Sequence, residues 1–183
     1  MEFSRSHSPS LLALFLICLS ILSNLFTSAE ADLIGDVCSG SKNPQFCINS
    51  LRSDPRSGSA DLKVLGQIAI DLSTNSTKST KALVDSLKQK ASDARLKAIY
   101  DSCLDNYGDS IDDLADATTK LGSGDYQGVA LTASAALDGP DTCDDNFTDA
   151  KLTEPPNLAE ASQNVQTLIE VVLVIANRLQ GNR

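Results

Sequence analysis

The chain has 183 residues, of which 42% are hydrophobic and only 4% aromatic, and its formal net charge is −9 at pH 7. A surface with that surplus of carboxylates excludes nucleic acid and anionic membranes as partners, because both demand the opposite sign, and it favours a basic protein surface instead. The only His is His7, the only Met is Met1, and there is no Trp.

The first segment is a leader. Glu2, Arg5 and His7 lie in a short polar stretch, followed by an apolar run from Ser10 to Leu22. Small residues at Thr27-Ser28-Ala29, and again at Ala29-Glu30-Ala31, complete a secretory signal peptide over residues 1–29, with Ala31 as the alternative cleavage position. The apolar run falls short of the ~20 residues a membrane-spanning helix needs. The later stretch from Leu168 to Leu179 is also too short and ends in charge. Cleavage leaves residues 30–183 as one secreted domain of about 150 residues, large enough for its own core. That domain has no His, so Ser-His-Asp and Cys-His catalysis are unavailable. A carboxylate-only glycosidase would need a cleft with aromatic rings to hold sugar, and aromatics are scarce. The expectation is a protein that is not an enzyme and carries no cofactor.

Cys18 leaves with the leader, and Cys38, Cys47, Cys103 and Cys143 stay. In an oxidising compartment an even number reads as two disulfides. Four cysteines allow three connectivities; the local pairing, Cys38 with Cys47 and Cys103 with Cys143, is the preferred one, although spacing does not select it. No C-x₂₋₄-C pair is present, which argues against zinc. The acid-rich run Asp138 to Asn146 lacks the alternating oxygen ligands, central Gly and terminal Glu of an EF-hand loop, so no metal is expected there either.

Residues 32–51 read as two short helical pieces joined at Asn43-Pro44, and Ser53 to Ser59 as a turn. From Ala60 to about Lys90 the apolar positions keep helical spacing around a Ser/Thr-rich middle, whose weak intrinsic preference calls for support by burial. Asp93 can cap the next helix, which runs to about Leu121 and stops at Gly122-Ser123-Gly124. Asp125 is the N-cap expected for a helix from Tyr126 to Leu137, broken at Gly139-Pro140. A polar connection then covers Asp144 to Asn157, with Pro155-Pro156 opening a last helix whose stripe includes Leu158, Val165, Leu168, Ile169, Val172 and Ile175. No strand-like alternation occurs. The architecture expected is all-α: an up-down-up-down four-helix bundle behind an N-terminal α-hairpin. The small residues of the third bundle helix suggest close helix approach rather than a ligand-carrying cavity. Asn75-Ser76-Thr77 and Asn146-Phe147-Thr148 are N-glycosylation sequons, making Asn75 and Asn146 candidate attachment points.

The helix after Asp93 has two faces. Ile99, Cys103, Tyr107, Ser110, Ile111, Leu114 and Leu121 share an apolar stripe, while Asp101, Asp105, Asp109, Asp112 and Asp116 recur at the same steps beside it. Like charges at these spacings cost an isolated helix roughly 0.2–0.5 kcal/mol per pair. Such a row is either a solvated face or a surface kept for a partner.

Several short motifs in fixed order carry a resemblance. The leader, Cys38-x₈-Cys47 with Pro44, Ser53-Asp54-Pro55-Arg56, Asp61-Leu62, Leu65-Gly66, Tyr100-x₂-Cys103 and Ser134-Ala135-Ala136 before Thr142-Cys143 resemble the plant invertase/pectin methylesterase inhibitors over essentially the whole mature chain. The resemblance implies a four-helix bundle with an α-hairpin, the local disulfide pairing, and a non-enzymatic, monomeric inhibitor of the apoplast and cell wall. The family's invertase branch carries a Gly-Asp-Pro-Lys-Phe-like stretch where this chain has Gly124-Asp125-Tyr126-Gln127, so the likeness is to the pectin methylesterase branch; invertase is the alternative target. In that branch one inhibitor covers the pectin cleft of one enzyme. Carried over residue by residue, Asp105, Asp109, Asp112, Asp125, Thr142 and Asp145 match or conservatively replace enzyme-facing positions. Asp116 extends the acidic row, and Tyr126 is a candidate anchor unless it packs inward.

Overall fold

The computed structural model describes residues 33–181. The signal peptide expected over residues 1–29, with both cleavage positions, lies outside the described residues. A helical turn over residues 33–38 (α1) and Pro44–Ser53 (α2) form the hairpin, and a 3₁₀ turn, Pro55–Ser59, leads into four long helices. These are α3 (Leu62–Lys90), α4 (Ala94–Ser123), α5 (Tyr126–Asp149) and α6 (Pro156–Gly181). No strand occurs among the described residues.

The helix starts follow from side-chain chemistry. Asp61 accepts from the Val64 amide, Asp93 from those of Arg95 and Leu96, and Asp125 from that of Gly128. Each satisfies amides that have no partner within the helix. Asn43 does the same for Phe46 at the head of α2. Gly124, at φ 75°, ends α4 in the left-handed conformation that a side chain would resist. The turn before α3 is pinned by Arg56, which donates to both Asp54 oxygens and, at 2.8 Å, to Asp71 of α3. That guanidinium holds the Asp54 carboxyl down at about 2.

Contacts between helix ends fix an antiparallel order. Lys63 at the start of α3 donates to the Gly122 carbonyl at the end of α4, and Arg95 at the start of α4 to Ala150 just past α5. Gln180 at the end of α6 reaches the Tyr126 carbonyl at the start of α5. With α3 and α6 also packed together, the bundle closes on itself. The larger core gathers Leu65, Ile68, Leu114, Ala133, Ile169 and Val172, with the hairpin's Val37, Cys38, Cys47 and Leu51 sealing one end. A second cluster at the other end holds Tyr100, Tyr107, Phe147 and Leu158, with the Tyr100 and Phe147 rings edge to face at 5.7 Å. Both expected disulfides are formed, Cys38 to Cys47 and Cys103 to Cys143. The Ser/Thr-rich middle of α3 is accommodated inside the bundle. Buried Ser73, Thr77 and Thr80 return their hydroxyls to the carbonyls four residues earlier, so no polar group is stranded. Helix α6 is long and apolar enough by composition to cross a membrane, but its apolar face, Val165 to Ala176, is buried against its neighbours.

One expected boundary is overturned. Gly139-Pro140 does not break the third bundle helix, and Asp144 to Asp149 is not a polar connection but the last turns of α5. A proline inside a helix removes the amide that would bond the carbonyl four residues back, here Ala136. That carbonyl instead accepts the Ser110 hydroxyl of α4 at 2.7 Å. Gly139 makes this possible, because a Cβ there would lie 2.6 Å from the Asn106 carbonyl oxygen and would also collide with Ser110 Oγ. A neighbouring helix thus supplies the bond the proline forfeits, and α5 continues for nine residues beyond it.

Candidate protein-docking face

The close approach of α4 and α5 determines the candidate site. The Cα atoms of Cys103 and Cys143 lie 4.8 Å apart, and from there the helices run antiparallel past the Ser110–Ala136 contact. Between their outer shoulders is a shallow groove of about 240 Å³, lined by Asn106, Asp109, Ser110, Asp113, Ala135, Asp138, Gly139 and Thr142. Asp105, Asp109, Asp112 and Asp116 stand exposed along α4, and Asp138, Asp141, Thr142 and Asp145 along α5. Among the described residues none of these carboxylates makes a salt bridge; of the cations on α4, Lys120 lies 3.6 Å from Asp125 and Arg95 donates to the Ala150 carbonyl. Half-buried Asp113 is pushed up by burial and then by Asp109, Asp116, Asp112 and Asp138. Asp141 is raised by burial and by Asp138, Asp145 and Glu170, against the pull of Lys42. Residues of two helices therefore share one field of a single sign.

Most of the residues singled out from sequence fall on this face. Asp109 and Thr142 line the groove, Asp112 and Asp116 lie close enough to raise Asp113, and Asp145 does the same to Asp141, whereas Asp105 is exposed on α4 with its charge felt by Lys88 of α3. Asp125 and Tyr126 lie at the far end of the same seam, ~30 Å from Asp145 along α5 at 1.5 Å per residue. Asp125 is exposed but already employed as the α5 cap and as the partner of Lys120. Tyr126 is half-buried and packs against the main core while its carbonyl accepts from Gln180.

The acids Asp113, Asp138 and Asp141 were not singled out from sequence. The signal was present, since positions 138, 141, 142 and 145 share a helical face, but it becomes visible only once the helix is carried through Pro140.

Behind the face lies a buried polar cluster. Asp144 accepts from Ser162 Oγ at 2.7 Å and Gln166 Nε2 at 2.9 Å, tying α5 to α6. Burial raises its carboxyl despite those two bonds. Nearby Glu154, in the α5–α6 connection, keeps Oε1 buried without a hydrogen-bond partner, and burial together with Asp144 pushes it up to about 7. The Tyr107 hydroxyl approaches Ser162 without a hydrogen bond of normal geometry, and burial raises it as well. Among the described residues no group of three His, Cys, Asp or Glu side chains is arranged to hold a metal.

Fold and face together define a class: a disulfide-stapled four-helix bundle with a carboxylate-rich groove between two of its helices. The family described as plant invertase/pectin methylesterase inhibitor matches residues 32–175. The pectinesterase inhibitor of Actinidia deliciosa is 41% identical over 186 aligned residues, covering 100% of both chains. Pectinesterase inhibitor 2 of Arabidopsis thaliana is 32% identical over 83% of this chain and 87% of its own. A solved structure of a mutant pectin methylesterase inhibitor from Arabidopsis superposes with a TM-score of 0.68 at 31% identity, covering 77% of this chain and 93% of the other. The chain belongs to the plant invertase/pectin methylesterase inhibitor family. The family's description and the names of these two relatives mark an inhibitor rather than an enzyme.

Proposed function

We propose that this protein inhibits pectin methylesterase by laying the α4–α5 face across the enzyme's pectin-binding cleft. Likeness over the full length to the Actinidia deliciosa pectinesterase inhibitor carries the reading. The acidic groove supports it physically. A cleft that holds partly ionised polygalacturonate needs positive potential, and a row of unpaired carboxylates complements it. Such complementarity sets encounter rate and specificity, while a few packed anchors set affinity. On this reading Asp105, Asp109, Asp112, Asp116, Thr142 and Asp145 face the enzyme, with Asp113, Asp138 and Asp141 added to them. Asp125 and Tyr126 border the contact at the start of α5. One monomeric bundle blocks one enzyme, after secretion to the apoplast and loss of residues 1–29, or 1–31.

Titrating acid release from methylesterified pectin by a purified plant esterase, with increasing inhibitor, tests the proposal. Activity should fall to zero at one equivalent; full activity at excess inhibitor refutes it. A putative invertase inhibitor of Platanus orientalis is also 30% identical over 85% of this chain. Sucrose hydrolysis by acid invertase, run in parallel, should be unaffected.

A further inference from the structure

We infer that the secreted protein carries a single N-linked glycan, on Asn75, seated over the α3–α4 cleft, and that Asn146 is unmodified. The two sequons are equivalent in sequence and opposite in structure. Asn75 is exposed on α3, and its side-chain amide makes no hydrogen bond among the described residues. It lines an open cleft of about 490 Å³ together with Asp71, Leu72, Ala115 and Thr118. A first sugar on Asn75 would find an apolar floor in Leu72 and Ala115 and polar edges in Asp71 and Thr118. Ala115 and Thr118 lie on the shoulder of α4 that faces α3, whereas Asn106, Asp109 and Asp113 lie on the shoulder that faces α5. The glycan therefore clothes one flank of the bundle and leaves the acidic groove bare.

Asn146 is placed to be spoiled by the same modification. Its Nδ2, the atom that would carry the sugar, donates to Ser102 Oγ at 3.1 Å across the α4–α5 seam. The residue is partly buried, beside fully packed Phe147 and three positions from the Cys103–Cys143 staple. A glycan there would break that bond and wedge the seam beside the Cys103–Cys143 staple. Chains modified at Asn146 would fail to close the bundle and would be lost before secretion.

Timing follows as well. The glycosyl transfer joins Asn75 Nδ2 to the anomeric carbon of a lipid-diphosphate-linked oligosaccharide; the bond from that carbon to the diphosphate oxygen breaks, the lipid diphosphate leaves, and the amide gives up a proton. The sequon hydroxyl, Thr77 Oγ1, is fully buried in the folded chain and bonded to the Ser73 carbonyl at 2.7 Å. The transferase must therefore read Asn75-Ser76-Thr77 before α3 forms.

The full chain, produced in a plant secretory host, is digested and the sequon peptides are weighed before and after peptide:N-glycosidase treatment in ¹⁸O water. The Asn75 peptide should carry the glycan and convert to labelled Asp, while the Asn146 peptide appears at its unmodified mass. N75Q should remove one glycan's mass from the intact protein, and N146Q should remove none. In cell-free translation with microsomes Asn75 should acquire its glycan during synthesis, and folded, unglycosylated protein supplied instead should acquire none. An unmodified Asn75 peptide, a glycan on Asn146 of the secreted protein, or transfer onto folded chains would each overturn the inference. None of these readouts depends on the esterase, so the outcome is separate from that of the inhibition assay.

Discussion

Replacing Ser110 with Ala tests why α5 survives its proline. The substitution removes one oxygen and nothing else, so the packing around Gly139 is kept. It leaves the Ala136 carbonyl without its 2.7 Å donor, and Pro140 offers no amide in exchange. An unpaired buried carbonyl costs ~1–3 kcal/mol. For a domain of this size each kcal/mol moves the melting temperature by about 2–4 °C, so a drop of roughly 2–12 °C is expected by calorimetry. Pro140→Ala provides the decisive comparison, because it restores the amide that would satisfy Ala136 from within the helix. In that background Ser110→Ala should cost much less, giving a coupling of at least about 1 kcal/mol in a double-mutant cycle, within the range seen for groups sharing a hydrogen bond. If Ser110→Ala melts within 1 °C of the unchanged protein, or if the two substitutions are additive, the account of the uninterrupted helix fails.

Three other outcomes follow from the same geometry. Asp109→Asn with Asp112→Asn should slow association with the esterase and flatten its dependence on ionic strength while leaving dissociation nearly unchanged; stopped-flow mixing across a salt series that shows no change would return the row to a solvated face. Glu154 is held near 7 in the folded state against an ordinary 4.5. Below 4.5 both states are protonated and no stability is lost; as pH rises towards 7 the unfolded chain ionises first and the native state weakens. The shift corresponds to about 3 kcal/mol unscreened, and to about 1–2 kcal/mol once partial exposure is discounted. Urea melts at pH 4.5, 5.5 and 7 should show Glu154→Gln reducing that decline, with a residue remaining from Asp144, whose carboxyl is raised in the same sense. Asp93→Ala removes the acceptor for two amides at the head of α4 and should cost ~1 kcal/mol in the same melts, with inhibition of the esterase unchanged.

The sequence alone determined the helical class, the order of the elements, three of the caps and the row of carboxylates on α4. These are local facts: apolar spacing of three and four residues, an Asp before an apolar run, a Gly after one. The two sequons are local in the same way. Tertiary structure decided everything that depends on a neighbour. Pro140 reads as a helix end in isolation because its own segment cannot supply the missing donor; Ser110, thirty residues earlier in the chain, supplies it. With the helix continuous, Asp138, Asp141, Thr142 and Asp145 turn to the same side as the α4 row, and two acidic segments become one face. Likewise nothing in Asn75-Ser76-Thr77 or Asn146-Phe147-Thr148 distinguishes them until Ser102 is found against one and open space against the other. Spacing fixes which side of a helix a residue occupies, but only packing fixes what that side meets.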